Sequence, residues 1–159
     1  MELLTPNVRF SKVEEITPEY LRSKGFTALL LDVDNTLVSR ETGTMSSSVV
    51  AWVKSLKEAG IACCLLSNNW HTTVLDHAAH LEVPIVRKAM KPLPVAYIKA
   101  LVTIGAHRET TVVVGDQVFT DVLGARLCVI SSILVDPLST TDLWYTKLFR
   151  KIEQKIQNR

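Results

Sequence analysis

Leu29-Leu30-Leu31-Asp32-Val33-Asp34-Asn35-Thr36-Leu37-Val38 is the stretch that decides the fold. Its apolar start has no polar interruption, which is the pattern of a strand buried on both faces of a parallel sheet. The run stops in two carboxylates one residue apart. In an open α/β sheet ligands bind in the crevice beyond the carboxyl ends of the strands, so Asp32 and Asp34 are placed at the mouth of a site. Two like charges this close repel unless a cation lies between them, and hard oxygen donors at this density suit Mg²⁺. The plainer reading is a strand followed by an Asp-Asn turn, since both residue types favour turns for local reasons. Taken alone, the stretch leaves both readings open.

Working outward, the same unit recurs. Ile61-Ala62-Cys63-Cys64-Leu65-Leu66 is a second apolar strand, stopping at Ser67-Asn68-Asn69, and Thr111-Val112-Val113-Val114 is another, ending in Gly115-Asp116-Gln117. Residues 84–87 and 129–135 read as a short strand and a last one. Helices fall between them. Thr17 caps a short helix opened by Pro18 and ended by Gly25. Ser46 to Ser48 cap a helix with Val49, Val50, Val53 and Leu56 on one face. Residues 71–81 form a helix with Val74, Leu75, Ala78 and Leu81 inward, and Lys91-Pro92 opens one running through Val95, Ile98, Leu101 and Val102 to Gly105. Residues 120–126 make a short helix, whereas residues 1–16 show no clean period and read as an irregular arm or a short strand over the body. Strands alternating with helices at these lengths predict βαβ units, right-handed crossovers and a three-layer α/β/α sandwich on a mostly parallel, doubly wound sheet.

The 159 residues suffice for one domain, 1–159, divided into an arm and short helix (1–26), a core (27–135) and a C-terminal helix (142–159). Hydrophobic residues make up 47% and charged residues 21%, a globular rather than disordered composition. No apolar run approaches the roughly 20 residues of a membrane-spanning helix, and residues 1–28 lack the basic start and apolar stretch of a signal peptide. A cytoplasmic location is therefore expected. Three cysteines inside apolar stretches, Cys63, Cys64 and Cys128, read as small core residues in a reducing compartment. The net charge of +2 hides an asymmetry, because residues 142–159 carry a net +3 and the rest −1.

Parallel strands put their carboxyl ends on one edge, so Asp32, Asp34, Ser67, Lys91, Asp116 and Asp121 can converge although they are spread over ninety positions. Metal-assisted phosphoryl transfer needs a nucleophile, a proton donor for the leaving oxygen, a cation and donors for the phosphoryl oxygens. Each has a candidate here. Ser67 alone reads equally as a helix cap, Lys91 as a solvated charge, and Asp121 as an acid favoured by a helix dipole. His71, His77, His80 and His107 show no ligand pattern. Trp70, directly after Asn69, either flanks the site or covers the start of the next helix, and the second reading is adopted.

In register, these segments resemble the haloacid dehalogenase (HAD) superfamily of phosphohydrolases: D-x-D-x-T as Asp32 to Thr36, a strand-ending Ser as Ser67, a Lys opening a helix as Lys91, and an acidic motif as Gly115 to Asp121. The resemblance implies a Rossmann-like, HAD-type fold without a cap domain. It also implies that Asp32 is the nucleophile that becomes an aspartyl phosphate, and that Asp34 is the general acid and then base. Mg²⁺ would be held by Asp32, the Asp34 carbonyl and Asp116, with Asp121 a further or outer partner. Ser67, with Asn68 beside it, and Lys91 would hold the phosphoryl oxygens, Lys91 also shielding the carboxylates from one another.

Only 35 positions separate the first motif from the second, and 24 the second from the third, so neither interval holds a folded cap. An uncapped member suits a large or surface-bound phosphate. The motifs, with Leu4 to Phe10 and Ile16-Thr17-Pro18-Glu19, resemble the capless subfamily IIIA and its phosphatidylglycerophosphate phosphatases. This implies conversion of phosphatidylglycerophosphate to phosphatidylglycerol. In the tail, Tyr145, Leu148, Phe149, Ile152 and Ile156 lie on one side of a helix, with Lys147, Lys151 and Lys155 beside them. Such a helix either lies on an anionic bilayer as a peripheral contact or docks on the body. The alternatives are a phosphatase acting on a soluble sugar phosphate or a nucleic-acid end, an inactive scaffold, and a non-hydrolytic receiver domain. A receiver keeps its phosphorylated Asp alone on a later strand, which does not match two carboxylates at one strand end. No nucleic-acid partner is expected.

Overall fold

The computed structural model describes residues 2–139 and 144–158, with side chains in the second stretch from Arg150 onward. Six parallel strands form one sheet in the order β1-β6-β5-β2-β3-β4: β1 (Val8–Phe10), β2 (Ala28–Asp32), β3 (Ala62–Leu66), β4 (Ile85–Val86), β5 (Thr111–Gly115) and β6 (Ser131–Val135). Helices α1 (Pro18–Ser23), α2 (Ser47–Glu58), α3 (Thr73–Leu81), α4 (Pro94–Ile104), α5 (Leu123–Leu127) and α6 (Trp144–Gln157) complete the α/β sandwich. The chain runs from β2 outward through β3 to β4, then returns to the other side of β2 as β5. The strand order therefore reverses between β2 and β5, which is where a doubly wound sheet opens a crevice.

The apolar run of β2 has two partners to satisfy. Leu29 and Leu31 pack with Val49, Val53 and Leu56 of α2, whereas Leu30 packs with Ala96, Tyr97 and Ala100 of α4 and Ala125 of α5. Strand alternation places Asp32 on the same face as Leu30, toward α4 and α5. Cys63, Cys64 and Cys128 are buried free thiols, and burial pushes Cys63 up to about 12, which suits inert core residues. Among the described residues no helix is long and apolar enough to cross a membrane.

Several expectations need correction. The arm contributes β1, which pairs in parallel with β6 and extends the sheet edge. In α2 the inward position is taken by Trp52, whose indole donates to Ile16 O at 2.8 Å, while Val50 is only partly buried. Leu75 of α3 is exposed. The largest reversal is α4. Its first helical residue is Pro94, after a turn in which Leu93 N donates to Met90 O, and its sheet-facing residues are Ala96, Tyr97 and Ala100. Val95, Ile98 and Val102 face solvent. Small residues let the helix approach the sheet closely enough for the Tyr97 ring to pack against Gly124 and donate to Thr120 O at 2.7 Å. The segment after β5 is a π-helical turn, Val118–Val122, rather than the start of a regular helix.

Candidate active site

Asp32, buried at the end of β2, is gripped from two sides. Lys91 Nζ lies 2.6 Å from Asp32 Oδ1, and Thr36 Oγ1 donates to Asp32 Oδ2 at 2.8 Å. Thr36 Oγ1 also stands 3.2 Å from Asp116 Oδ1, just beyond β5. A hydroxyl has one proton, so it cannot serve both carboxylates at once. Lys91 Nζ reaches Asp121 Oδ1 at 2.8 Å as well, and the second oxygen of Asp121 accepts from Gln117 N at 3.2 Å. A Cβ on Gly115 would collide with the Asp121 carboxylate, so only glycine lets the π-helical turn bring Asp121 this close to the strand.

Carboxylate oxygens of Asp32, Asp116 and Asp121 all lie within 4.8 Å of one another. Burial, then the charge of Asp32, raises Asp121 to about 7, and the same two causes raise Asp116 well above the carboxylate range. Burial alone would lower Lys91, but the charges of Asp121 and Asp32 outweigh it and hold the ammonium above its ordinary range. Three buried acids, offset by the Lys91 ammonium and by Arg150 Nη2 3.2 Å from Asp116 Oδ2, with a shared hydroxyl proton between two of them, fit a divalent cation bound by hard oxygen donors. Asp32, Asp116 and Asp121 could hold it. Both Asp121 oxygens are engaged by Lys91 and the Gln117 amide, an arrangement that also fits Asp121 to anchoring the ammonium.

Asp34 is partly exposed. It accepts from Asn69 Nδ2 at 3.3 Å and from Ser67 Oγ at 3.5 Å, a loose contact that leaves the Ser67 hydroxyl able to turn to another acceptor. Asn68 spends its amide on bracing: its Oδ1 accepts from Lys91 N at 2.8 Å and its Nδ2 donates to Lys91 O at 3.3 Å. This laces the loop after β3 to the loop that carries Lys91.

Between Asp34 and Thr36, Asn35 is fully buried at φ 61°, a left-handed conformation that Asn tolerates better than most residues. Its Oδ1 accepts from Ser139 N (3.0 Å) and Ser139 Oγ (2.8 Å), and its Nδ2 donates to Ser139 O (2.9 Å). The segment after β6 thereby clamps the acidic loop. Asn35→Ala should strand the buried Ser139 groups and add left-handed strain, costing about 2–4 kcal/mol in urea unfolding. Asn35→Gly, which relieves only the strain, should cost less.

The tail meets the site directly. Arg150 donates to Asp116 Oδ2 at 3.2 Å, and buried Glu153 accepts from Phe119 N at 3.3 Å. Lys151, Ile152 and Lys155 are exposed, and from Arg150 onward the buried residue among those described is Glu153. The side chains of Tyr145, Lys147, Leu148 and Phe149 lie outside the described residues. Trp70 does not cover the next helix. It is 67% exposed, with Lys88 Nζ 4.6 Å from its ring centroid. Sequence reading missed Asn69, Ser139 and Arg150. Asn69 sits in a quoted motif and was within reach, whereas Ser139 and Arg150 carry no local signal.

A family model for haloacid dehalogenase-like hydrolases matches residues 12–128, most of the chain. The chain belongs to this family. It is 32% identical over 151 residues to "Probable phosphatase YqeG" of Bacillus subtilis (strain 168), covering 95% of this chain and 88% of that protein. Among solved structures it resembles the cobalt-bound deoxy-D-mannose-octulosonate 8-phosphate phosphatase of Haemophilus influenzae (TM-score 0.58, 16% identity, 85% of this chain, 89% of that one). It also resembles a HAD subfamily III A hydrolase of Legionella pneumophila (TM-score 0.51, 19% identity, 65% and 62%). These identities speak to the fold alone. The family model and the YqeG likeness identify this HAD-like chain as a phosphatase.

Proposed function

We propose that the chain is a Mg²⁺-dependent phosphate monoester hydrolase working through an aspartyl phosphate on Asp32, with phosphatidylglycerophosphate as substrate and phosphatidylglycerol as product. The observation that supports the chemistry is the meeting of Asp32, Lys91, Thr36, Asp116 and Asp121 at the switch point, with Asp34 and Ser67 on its open side. An Asp32 oxygen attacks phosphorus, forming the acyl phosphate as the bond to the leaving alkoxide breaks. Asp34, protonated, gives that oxygen its proton. The resulting Asp34 carboxylate then takes a proton from the water that attacks the acyl phosphate, and inorganic phosphate leaves with Asp32 restored. Lys91 and the Ser67 hydroxyl offset the charge on the phosphoryl oxygens. Bound beside Asp32 and Asp116, Mg²⁺ supplies charge neutralisation between an anionic nucleophile and an anionic ester.

The lipid substrate rests on the capless architecture. The loop between Asp34 and α2 and the helix between Ser67 and Lys91 add no domain over the mouth, so a headgroup presented at a surface can reach Asp32. Purified protein should release phosphate faster from phosphatidylglycerophosphate in mixed micelles than from soluble sugar phosphates. Equal or faster rates on the soluble esters would overturn the lipid assignment while leaving the phosphatase chemistry intact. A cytoplasmic location with peripheral membrane contact completes the proposal.

A further inference from the structure

The two loops that brace the site also hold large apolar side chains out in solvent. Trp70 is 67% exposed, Met90 61% and Leu93 50%. Trp70 follows Asn69, which holds Asp34, and Met90 precedes Lys91, which holds Asp32. The loops run side by side, since Ala89 N donates to Ser67 O at 2.9 Å and the Asn68 amide pairs with the Lys91 backbone. The second loop alternates: Ala89 and Lys91 are buried, Lys88 and Met90 exposed. Both exposed residues sit at φ 54°, a conformation that costs an L residue energy, so the fold that buries Lys91 also projects Met90.

We infer that Trp70, Met90, Leu93 and Lys88 form a lip that seats the mouth of the site on an anionic phospholipid surface. This deepens the lipid reading above and rests on it. Lys88 stacked over the Trp70 indole pairs a cation with an amphipathic ring, the combination that settles at the level of lipid headgroups, where the indole meets the apolar boundary and the ammonium meets phosphate. A bilayer resting on these side chains would bring its phosphates level with Asp34 and Ser67, because the lip residues adjoin the site in sequence and in the hydrogen-bond lacing. The tail, by contrast, is anchored inward through Arg150 and Glu153.

The test separates seating from turnover. Full-length protein is sedimented with vesicles of phosphatidylcholine and phosphatidylglycerol, which contain no substrate, and with phosphatidylcholine alone, and is assayed on p-nitrophenyl phosphate. The wild type should partition onto the anionic vesicles, and the double variant Trp70→Ser, Met90→Ser should lose about tenfold or more in partitioning, as expected for withdrawing two apolar side chains from an interface. Hydrolysis of p-nitrophenyl phosphate should stay within about twofold, since both residues are surface positions outside the chemistry. Failure of the wild type to bind, or binding unchanged in the variant, overturns the lip. Loss of binding in the variant, joined to no activity on phosphatidylglycerophosphate in micelles, would leave the lip standing and remove the proposed substrate.

Discussion

Asp32→Asn should lower phosphate release by about 10⁴-fold or more while leaving the fold intact, as expected when an attacking group is removed. The amide oxygen is neutral and a poor nucleophile toward phosphorus, so no aspartyl phosphate can form. The fold should tolerate the change because Asp32 is one of three crowded carboxylates. Burial and its charge are the two largest causes raising Asp116 and Asp121, so neutralising Asp32 relieves repulsion. Lys91 keeps its ion pair with Asp121, and the single Thr36 proton becomes free for Asp116. Thermal melting with chelator present should therefore show a midpoint equal to or above that of wild type. Residual turnover within about a hundredfold of wild type, the size of a lost hydrogen bond, would remove Asp32 from its role.

The site was legible in sequence because its parts end uninterrupted apolar runs. Leu29 to Leu31, Cys63 to Leu66 and Val112 to Val114 are buried on both faces, a pattern with few alternatives, and parallel pairing then forces Asp32, Ser67 and Asp116 to one edge. Helix faces were harder to read where the helix is apolar all round. In α4 the larger Val95, Ile98 and Val102 outbid Ala96 and Ala100 in any count of hydrophobicity, yet close approach to the sheet selects the small residues. The same reasoning hid the exposed Trp70. Ser139 and Arg150 were illegible for a different cause. Each reaches the site across a sequence separation, 104 residues to Asn35 and 34 to Asp116, that no local pattern records. The tail's apolar and basic pattern left a bilayer contact and a docked helix both open, and no local pattern marked Glu153, which is buried and accepts from Phe119 N.

Lys91→Met should cost both stability and activity. The ammonium is buried between Asp32 and Asp121 at 2.6 and 2.8 Å, and a thioether of similar length fills the space without the charge. Breaking a buried ion pair by removing one partner typically costs about 3–5 kcal/mol, because the abandoned charge stays desolvated. The pH dependence has a definite sign. Asp121 is already raised to about 7 by burial and by Asp32, and losing the Lys91 charge, which lowers it, raises it further. A carboxyl whose folded value lies above its unfolded value of 3.8 binds more protons in the native state, so stability falls as pH rises from about 4 through the raised value. The deficit of Lys91→Met in urea unfolding, measured with chelator present, should thus be largest at pH near 8 and shrink toward pH 4, while phosphate release stays depressed throughout. A variant as stable as wild type at neutral pH would mean that the ammonium does not hold Asp32 and Asp121 together, and the charge balance assigned to the site would fall with it.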